Sequence, residues 1–115
     1  MPVAKRKARH EAAIDLLHWC ARHPMTLVTV EDLSSELYQS RTSLFKGAKE
    51  HFERTPLELQ RSIRLDHVRS ALLRGSGSIG AVAAEFGFQS RSHFARRYRE
   101  QFAELPQRTA DLRQL

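Results

Sequence analysis

Basic and short hydroxyl side chains recur at matching positions in two stretches of the chain, 50 residues apart. Tyr-Gln-Ser-Arg-Thr-Ser-Leu, which begins at Tyr38, corresponds to Phe-Gln-Ser-Arg-Ser-His-Phe, which begins at Phe88. Further along, Lys46 corresponds to Arg96. Each copy has Arg at the start of a helical pattern and a second basic residue five positions on, which is typical of a helix that enters a DNA groove. The repeat therefore predicts one functional unit that is used twice.

Helical spacing separates each copy into two faces, one suited to a partner and one suited to a core. In the second copy the outward face carries Arg91, Ser92, Ala95, Arg96 and Arg99, and the inward face carries Phe94, Tyr98 and Phe102. In the first copy the outward face carries Arg41, Thr42, Phe45, Lys46 and Lys49, and the inward face carries Leu44, Ala48 and Phe52.

The outward side chains have the chemistry that reads DNA. An α-helix fits the major groove, where an arginine can form two hydrogen bonds with guanine O6 and N7. Small hydroxyl side chains beside it, here Thr42 and Ser92, permit close approach. Phe45 is either ordinary exposed apolar surface or a contact for a thymine methyl group. Basic residues further along the helices are expected to meet phosphates, which hold register without reading sequence. These residues are Lys49, Arg97 and Arg99.

The composition favours the same class of partner. The 115 residues contain 19 Lys and Arg against 13 Asp and Glu, a formal charge of +6, which favours a polyanion over an acidic metabolite. Cys20 is the only cysteine, so an internal disulfide is excluded and Cys20 is expected to pack as a small apolar residue. No apolar stretch reaches the about 20 residues that span a bilayer, and the basic N-terminus has no apolar signal core. We therefore expect a cytoplasmic protein.

Start signals and helical periodicity predict seven helices and no strand, and therefore an all-α fold. The expected helices cover about 8–23, 30–37, 40–52, 56–73, 79–86, 90–101 and a short segment from Pro106. The expected caps are Thr29, with Asp32 three residues on, Ser40, Ser78 and Ser90. The predicted segments are an N-terminal basic arm with helix 1 (1–27), a first helix-turn-helix (28–55), a linker helix (56–74), and a second helix-turn-helix with a C-terminal helix (75–115).

Longer motifs extend over both units. The second reads Ile79-x-x-Val82-Ala83-x-x-x-Gly87-Phe88-x-Ser90-x-Ser92-His93-Phe94-x-Arg96-x-Tyr98-Arg99-x-x-Phe102-x-x-x-Pro106. The first reads Val28-Thr29-Val30-x-Asp32-Leu33-x-x-x-Leu37-x-x-Ser40-Arg41-x-x-Leu44, followed by Pro56 and Arg64-Leu65. In these motifs the chain resembles the DNA-binding domain of the AraC/XylS family of bacterial transcription regulators, over about residues 28–106. The second unit follows the family's pattern more closely than the first.

The resemblance implies two helix-turn-helix subdomains joined by a long helix, with recognition helices in successive major-groove segments about 34 Å apart. The family's base-reading positions correspond to Thr42, Phe45, Lys46, Arg91, Ser92 and Arg96. Phosphate contacts are expected from Ser40, Arg41, Lys49, Ser90, Arg97 and Arg99. We therefore expect a transcription regulator that binds double-stranded DNA, is not an enzyme and uses no cofactor or metal.

The chain also departs from the family's pattern. Tyr38, Glu53 and Ala103 stand where the family usually has glycine, and Leu105 replaces a hydroxyl residue before Pro106. Gly47 lies inside the first recognition helix, where it is expected to cost about 1 kcal/mol relative to Ala. Ala48 replaces a large apolar residue.

Two other functions stay open at this point. One is a non-specific nucleic-acid binder, and the other is a helical module that contacts protein partners or RNA polymerase through 56–73. As this chain, the protein is expected to bind DNA as a monomer. Most members of the family carry an effector and dimerisation domain before the DNA-binding one, so the chain is either a stand-alone regulator or a fragment of a longer protein.

Overall fold

A computed structural model describes residues 3–113, and in this range the chain forms seven α-helices and no strand. They are α1 (Val3–Arg22), α2 (Val30–Leu37), α3 (Arg41–Phe52), α4 (Pro56–Arg74), α5 (Ile79–Glu85), α6 (Arg91–Phe102) and α7 (Pro106–Leu112). The all-α prediction is confirmed. The chain divides into two compact units, of which the first ends at Arg61 and the second begins at Ser62, within α4.

The first helix is longer than the sequence predicted. It begins at Val3 instead of about residue 8, so the basic run Lys5–Arg9 belongs to the helix. Lys, Arg and Ala are strong helix formers, and Lys7 lies 4.0 Å from Glu11 one turn on. The ends of the predicted basic arm and of the predicted last segment, 1–2 and 114–115, lie outside the described residues.

The predicted caps are confirmed. Thr29 Oγ1 accepts a hydrogen bond from the Asp32 backbone N–H, and the Asp32 carboxylate accepts one from the Thr29 N–H, which completes a capping box. Hydrogen bonds from the Thr29 backbone N–H and from the Thr29 side chain to the Asp32 carboxylate lower the pKa of Asp32. The side chains of Ser40, Ser78 and Ser90 each accept a hydrogen bond from the backbone N–H three residues on. Each helix of the two predicted helix-turn-helix units therefore has a capped N-terminus.

A second capping box begins α4. The Thr55 N–H donates to Glu58 Oε1 at 2.9 Å, and the Glu58 N–H donates to Thr55 Oγ1 at 3.2 Å. Because the backbone and side chain of Thr55 bond the Glu58 carboxylate, the pKa of Glu58 is lowered. The Thr-x-x-Glu signal was present in the sequence. The corresponding position before α7 is Leu105, which has no side-chain cap.

In the first unit, α1 packs against α3. The buried apolar side chains of this unit are Ala12, Ala13, Leu16, Trp19, Cys20, Val30, Leu33, Leu44 and Ala48 from α1 to α3, together with Pro56 and Leu59 from α4. The expected cost of Gly47 concerns helix propensity alone, and the structure adds a packing requirement for glycine that the sequence did not show. Gly47 is buried, and a β-carbon there would lie 2.4 Å from the Arg9 carbonyl oxygen, so the close approach of α1 requires glycine. Cys20 packs as a buried thiol, as predicted.

The second unit has an aromatic core. Its buried side chains are Leu65, Val68, Ala71, Leu72, Val82, Ala83, Phe86, Phe94 and Tyr98, with Ile79, Phe88 and Phe102 packed around them. This confirms the predicted inward face of the second recognition helix. Gly75, at a φ of 72°, ends α4, and the Ser76 N–H donates to the Ala71 carbonyl to close a Schellman-type turn.

The positions that depart from the family's glycines all have left-handed backbone. Tyr38, Glu53 and Ala103 have φ values of 54°, 56° and 57°. Each backbone N–H bonds a carbonyl four residues back, as a glycine at the same place would. The substitutions therefore keep the helix ends and cost steric strain instead.

Candidate nucleic-acid interface

The recognition helix of the second unit presents the face that the sequence predicts. Arg91, Ser92, Arg96 and Arg99 are exposed, and Ala95 is half-buried between them. Arg97 is half-buried, and its Nη1 lies 3.5 Å from Glu100 on the same helix. Four of the predicted DNA contacts thus form one basic strip on the surface of α6.

The inward face of α6 fixes the direction of that strip. Tyr98 is fully buried, and its hydroxyl donates to Thr109 Oγ1 at 2.6 Å. Thr109 in turn donates to Glu104 Oε1 at 2.8 Å, and Arg69 lies 3.4 Å from the same carboxylate oxygen. Burial raises the pKa of Tyr98. This network holds α6 against α7 and α4. The buried face of α6 therefore fixes the rotation of the helix about its axis.

A second set of bonds ties the end of α6 to α4. Gln101 Nε2 donates to the Ser62 carbonyl and to Asp66 Oδ1, both at 3.0 Å. The HTH turn before α6 is held by Phe88, whose ring centroid lies 5.3 Å from that of Phe94. The guanidinium of Arg64 lies over the Phe88 ring, 4.9 Å from its centroid.

The recognition helix of the first unit presents a similar but less open face. Arg41, Thr42, Lys46 and Lys49 are exposed, and Phe45 is half-buried on the same side. The sequence left Phe45 as surface or as a base contact, and its position on the outward face is compatible with both. Leu44 and Ala48 are buried and Phe52 is half-buried, as the predicted inward face requires.

The two helices differ in what packs behind them. Ala48 occupies the position that corresponds to Tyr98, and both are fully buried. In the first unit α1 approaches at Gly47, and its Arg9 guanidinium pairs with Glu50 of α3. The close packing of α1 therefore compensates for the small side chain at position 48. It supports α3 as the buried Tyr98 supports α6.

Ser40 and Ser90 use their hydroxyls as caps. Ser40 Oγ accepts from the Ser43 N–H at 3.0 Å, and Ser90 Oγ accepts from the His93 N–H at 3.4 Å. A phosphate at either helix start would be met by first-turn backbone N–H groups, which have no intrahelical acceptor, more readily than by these hydroxyls.

One contact of the predicted interface was missed in the sequence. Arg41 Nη1 bonds the Glu31 carboxylate of α2, and the Arg41 guanidinium lies 5.5 Å from the Phe45 ring centroid. If the two units are aligned so that the caps Thr29 and Ser78 coincide, the second unit has no acidic residue at the position of Glu31. The sequence could have revealed this difference.

Within residues 3–113, no three His, Cys, Asp or Glu side chains are grouped to hold a metal ion. In the same range, no helix combines the length and the apolar character that a bilayer crossing requires.

Comparisons with known proteins agree with this geometry. A family model described as a helix-turn-helix domain matches residues 33–111. The HTH-type transcriptional regulator CdhR of Pseudomonas aeruginosa is 32% identical over 85 residues, which are 74% of this chain and 25% of that protein. The XylDLEGF operon transcriptional activator 2 of Pseudomonas putida is 32% identical over 91 residues, 76% of this chain and 58% of that protein. The chain thus spans a quarter to just over half of these relatives.

Solved structures have the same fold. A probable AraC family transcriptional regulator from Rhodopseudomonas palustris superimposes with a TM-score of 0.81 at 27% identity, over 89% of this chain and 96% of that one. An AraC-type DNA-binding domain protein from Chromobacterium violaceum gives a TM-score of 0.79 at 24% identity, over 96% of each chain, a likeness in fold. On its motifs, its matched domain and its relatives, this chain belongs to the AraC/XylS family of helix-turn-helix transcription regulators, which bind double-stranded DNA.

Proposed function

We propose that this chain reads base pairs in double-stranded DNA with α6 and α3 and acts as the DNA-binding part of a transcription regulator. The observation that carries the proposal is the recurrence of exposed basic residues at the same positions of two capped helices, each with a buried opposite face. A solvated basic surface has no reason to repeat in register.

In the second unit, Arg91, Ser92 and Arg96 are the proposed base-reading residues. An arginine on the first turns of a helix in the major groove can donate two hydrogen bonds to one guanine. Ser92, short and exposed, leaves room for that approach. In the first unit the proposed base readers are Thr42, Phe45 and Lys46, and the half-buried Phe45 ring offers an apolar surface to a thymine methyl group.

The remaining basic residues are proposed as phosphate contacts that hold register. Lys49 and Arg99, which are exposed one turn beyond the base-reading positions, are the main ones. Arg97 can contact a phosphate once it separates from Glu100. The pair between these two residues is partly exposed and lies within one helix, so it is weak. The starts of α3 and α6, at Ser40, Arg41 and Ser90, complete the set.

The proposed setting is the bacterial cytoplasm, with the chain bound to an asymmetric site as a monomer through successive major-groove segments. Contact with RNA polymerase is a separate proposal, supported by a relative that is named as an operon transcriptional activator. It is tested by transcription in vitro from a promoter that carries the selected site, in which this chain increases transcript yield if the contact exists and leaves it unchanged if not.

The deciding experiment is selection from a random duplex library with the purified chain at about physiological salt, followed by titration of the best site against a scrambled one. Two enriched blocks about one helical turn apart would support base reading by both units. One block would assign base reading to a single unit. No enrichment, with binding that fades as salt rises, would reject the proposal in favour of a non-specific binder.

A further inference from the structure

The first arginine of each recognition helix faces a different residue in the two units. Arg41 and Arg91 are each the first residue of their helix, directly after a capping serine. Glu31 and Gly80 are each the second residue of the helix before it, after the caps Thr29 and Ser78. The two pairs, Glu31 with Arg41 and Gly80 with Arg91, therefore occupy the same place in the repeat.

In the first unit this place holds an ion pair. Arg41 Nη1 bonds Glu31 Oε1, and both side chains are mostly exposed, at 62% for Arg41 and 66% for Glu31. The Arg41 guanidinium also lies 5.5 Å from the Phe45 ring centroid. The cation thus has two intramolecular partners on the surface that is proposed to face DNA.

In the second unit the corresponding residue is Gly80, which has no side chain. A β-carbon at Gly80 would lie 3.2 Å from Arg91 Nη2, so the guanidinium rests against the backbone of α5 where a longer side chain would displace it. Among residues 3–113, no carboxylate forms an ion pair with Arg91. No intramolecular carboxylate of the described residues therefore competes with an external anion for Arg91.

We propose that Glu31 lowers the affinity of the first unit for DNA by withholding Arg41 from DNA phosphates, whereas Gly80 leaves Arg91 available. This inference rests on the proposed function, because both arginines must face DNA. To bind a phosphate, Arg41 must leave Glu31, and the freed carboxylate then stands beside the polyanion and is repelled by it.

The consequence for specificity follows from the kind of contact that is lost. A phosphate contact strengthens binding to every sequence equally. An acidic residue that cancels one such contact in the first unit lowers the affinity for random DNA as much as for the preferred site. Because both affinities fall by the same factor, the ratio between them, which is the specificity, stays unchanged, and the effect of Glu31 is on affinity alone.

The first test replaces Glu31 with its neutral isostere. Glu31→Gln is expected to tighten binding to any duplex about fivefold at low salt, the equivalent of one surface ion pair. The plot of log affinity against log salt is expected to steepen by about 0.9, because one more phosphate is neutralised. Glu36→Gln is the matched control. It removes the same charge from an exposed residue of α2 that lies about 140° around the helix, and its slope is expected to stay at the wild-type value.

The reciprocal test places the acid in the second unit. Gly80→Glu is expected to weaken binding to the preferred duplex, because its carboxylate would pair with Arg91, a proposed base reader, and Gly80→Gln, which has the same bulk without the charge, is expected to weaken it less. Helical content measured by circular dichroism confirms that both variants fold. The Glu31→Gln result does not depend on them, since Glu31 is exposed.

Several results would overturn the inference. One is an equal change of slope for Glu31→Gln and Glu36→Gln. Another is weaker binding of Glu31→Gln to the preferred site, which would mean that Glu31 holds Arg41 for a base contact. A wild-type chain with a site preference but no effect of Glu31 rejects this inference alone. A chain without site preference that still shows the slope change rejects base reading alone, and a chain that binds no duplex rejects both.

Discussion

The backbone oxygen of Arg9 lies 2.4 Å from the point where a β-carbon at Gly47 would stand. The backbone nitrogen of Ala13 lies 3.3 Å from the same point, so two consecutive turns of α1 face the middle of α3. Both neighbours are backbone atoms of a helix and cannot move without shifting α1. Gly47 is therefore the point at which the first recognition helix is fixed to its supporting helix.

Gly47→Ala is expected to destabilise the first unit, although alanine is the better helix former. The overlap forces the two helices apart, and overpacking of this kind costs about 1–3 kcal/mol, more than the about 1 kcal/mol that helix propensity returns. The measurement is urea unfolding followed by the fluorescence of Trp19, which is the only tryptophan and is buried in α1.

Gly80 provides the control for this substitution. It is the other glycine within a helix, and a β-carbon there meets only the flexible end of Arg91 at 3.2 Å. Gly80→Ala is expected to leave stability unchanged or to raise it by a few tenths of a kcal/mol, to about 1 kcal/mol at most. A Gly47→Ala chain as stable as the wild type would contradict the close packing of α1 on α3.

Arg96→Ala and Lys49→Ala separate base reading from phosphate contact. Arg96→Ala is expected to cost about 1–3 kcal/mol on the selected site and to relax the preference at one base pair. Lys49→Ala is expected to weaken binding to all sequences similarly and to reduce the salt slope by about one. Both side chains are exposed, so folding is not expected to change. Titration of each variant against the selected and the scrambled duplex decides, and equal losses for Arg96→Ala on both would refute its base-reading role.

Local signals in the sequence were sufficient for most of the fold. Each cap is a contact between residues three positions apart, so Thr29, Ser40, Ser78 and Ser90 could be identified from spacing alone. The inward aromatic face of α6 follows from helical periodicity in the same way. The family's motif then supplied the arrangement of the helices, which periodicity does not contain.

Contacts between distant segments were not predictable by the same means. The role of Gly47 depends on a carbonyl 38 positions earlier, which no local pattern specifies. The two turns before the recognition helices also differ: the caps Thr29 and Ser40 are 11 positions apart, whereas Ser78 and Ser90 are 12 apart. In the longer turn Gly87 takes the left-handed position, and the aromatic that follows, Phe88, packs inward. In the shorter turn the aromatic Tyr38 itself takes that position and points outward.

Tyr38→Gly is expected to stabilise the first unit. Tyr38 has a φ of 54° and is 95% exposed, so its side chain contributes little packing while its β-carbon is strained. Relief of the left-handed conformation returns about 1–2 kcal/mol, less the about 0.4–1 kcal/mol of backbone entropy that glycine adds to the unfolded chain. Ser35→Gly, at an exposed position inside α2, is the control and is expected to lose about 0.5 kcal/mol. Thermal unfolding measures both, and a loss of stability in Tyr38→Gly would show that the tyrosine makes a stabilising contact.

Thr55 and Leu105 are corresponding positions with opposite expected effects. Thr55→Ala removes the side-chain half of the capping box on α4 and is expected to cost about 1 kcal/mol. Leu105→Thr introduces a hydroxyl where the backbone is already extended, at a φ of −84°, and no side-chain cap exists. Because Leu105 is 51% exposed, we expect a gain of about 0.5–1 kcal/mol. Urea unfolding at neutral pH measures the two changes, and the same sign for both would contradict the cap assignment.

Tyr98 is expected to make the second unit less stable at alkaline pH. Burial raises the pKa of Tyr98 in the folded chain above the value of about 10 in the unfolded one. The neutral phenol is therefore favoured in the folded state, and its contribution is fully present below about pH 10 and is lost as pH rises through the folded pKa. Ionisation also removes the proton that the hydroxyl donates to Thr109. The chain has two tyrosines, so Tyr38→Phe leaves Tyr98 alone to be followed by tyrosinate absorbance.

The expected result is that Tyr38→Phe keeps the wild-type fall in unfolding free energy above about pH 10, and that its tyrosinate signal rises with the loss of helix. Tyr98→Phe is expected to be less stable by about 1 kcal/mol at neutral pH, because Thr109 loses its donor, and to lose less stability above about pH 10 than the wild type. Circular dichroism in urea at each pH provides the free energies. If the unfolding free energies of Tyr98→Phe and the wild type fall in parallel as pH rises, another group causes the alkaline sensitivity. The buried hydroxyl would then contribute to the position of α6 only through its hydrogen bond.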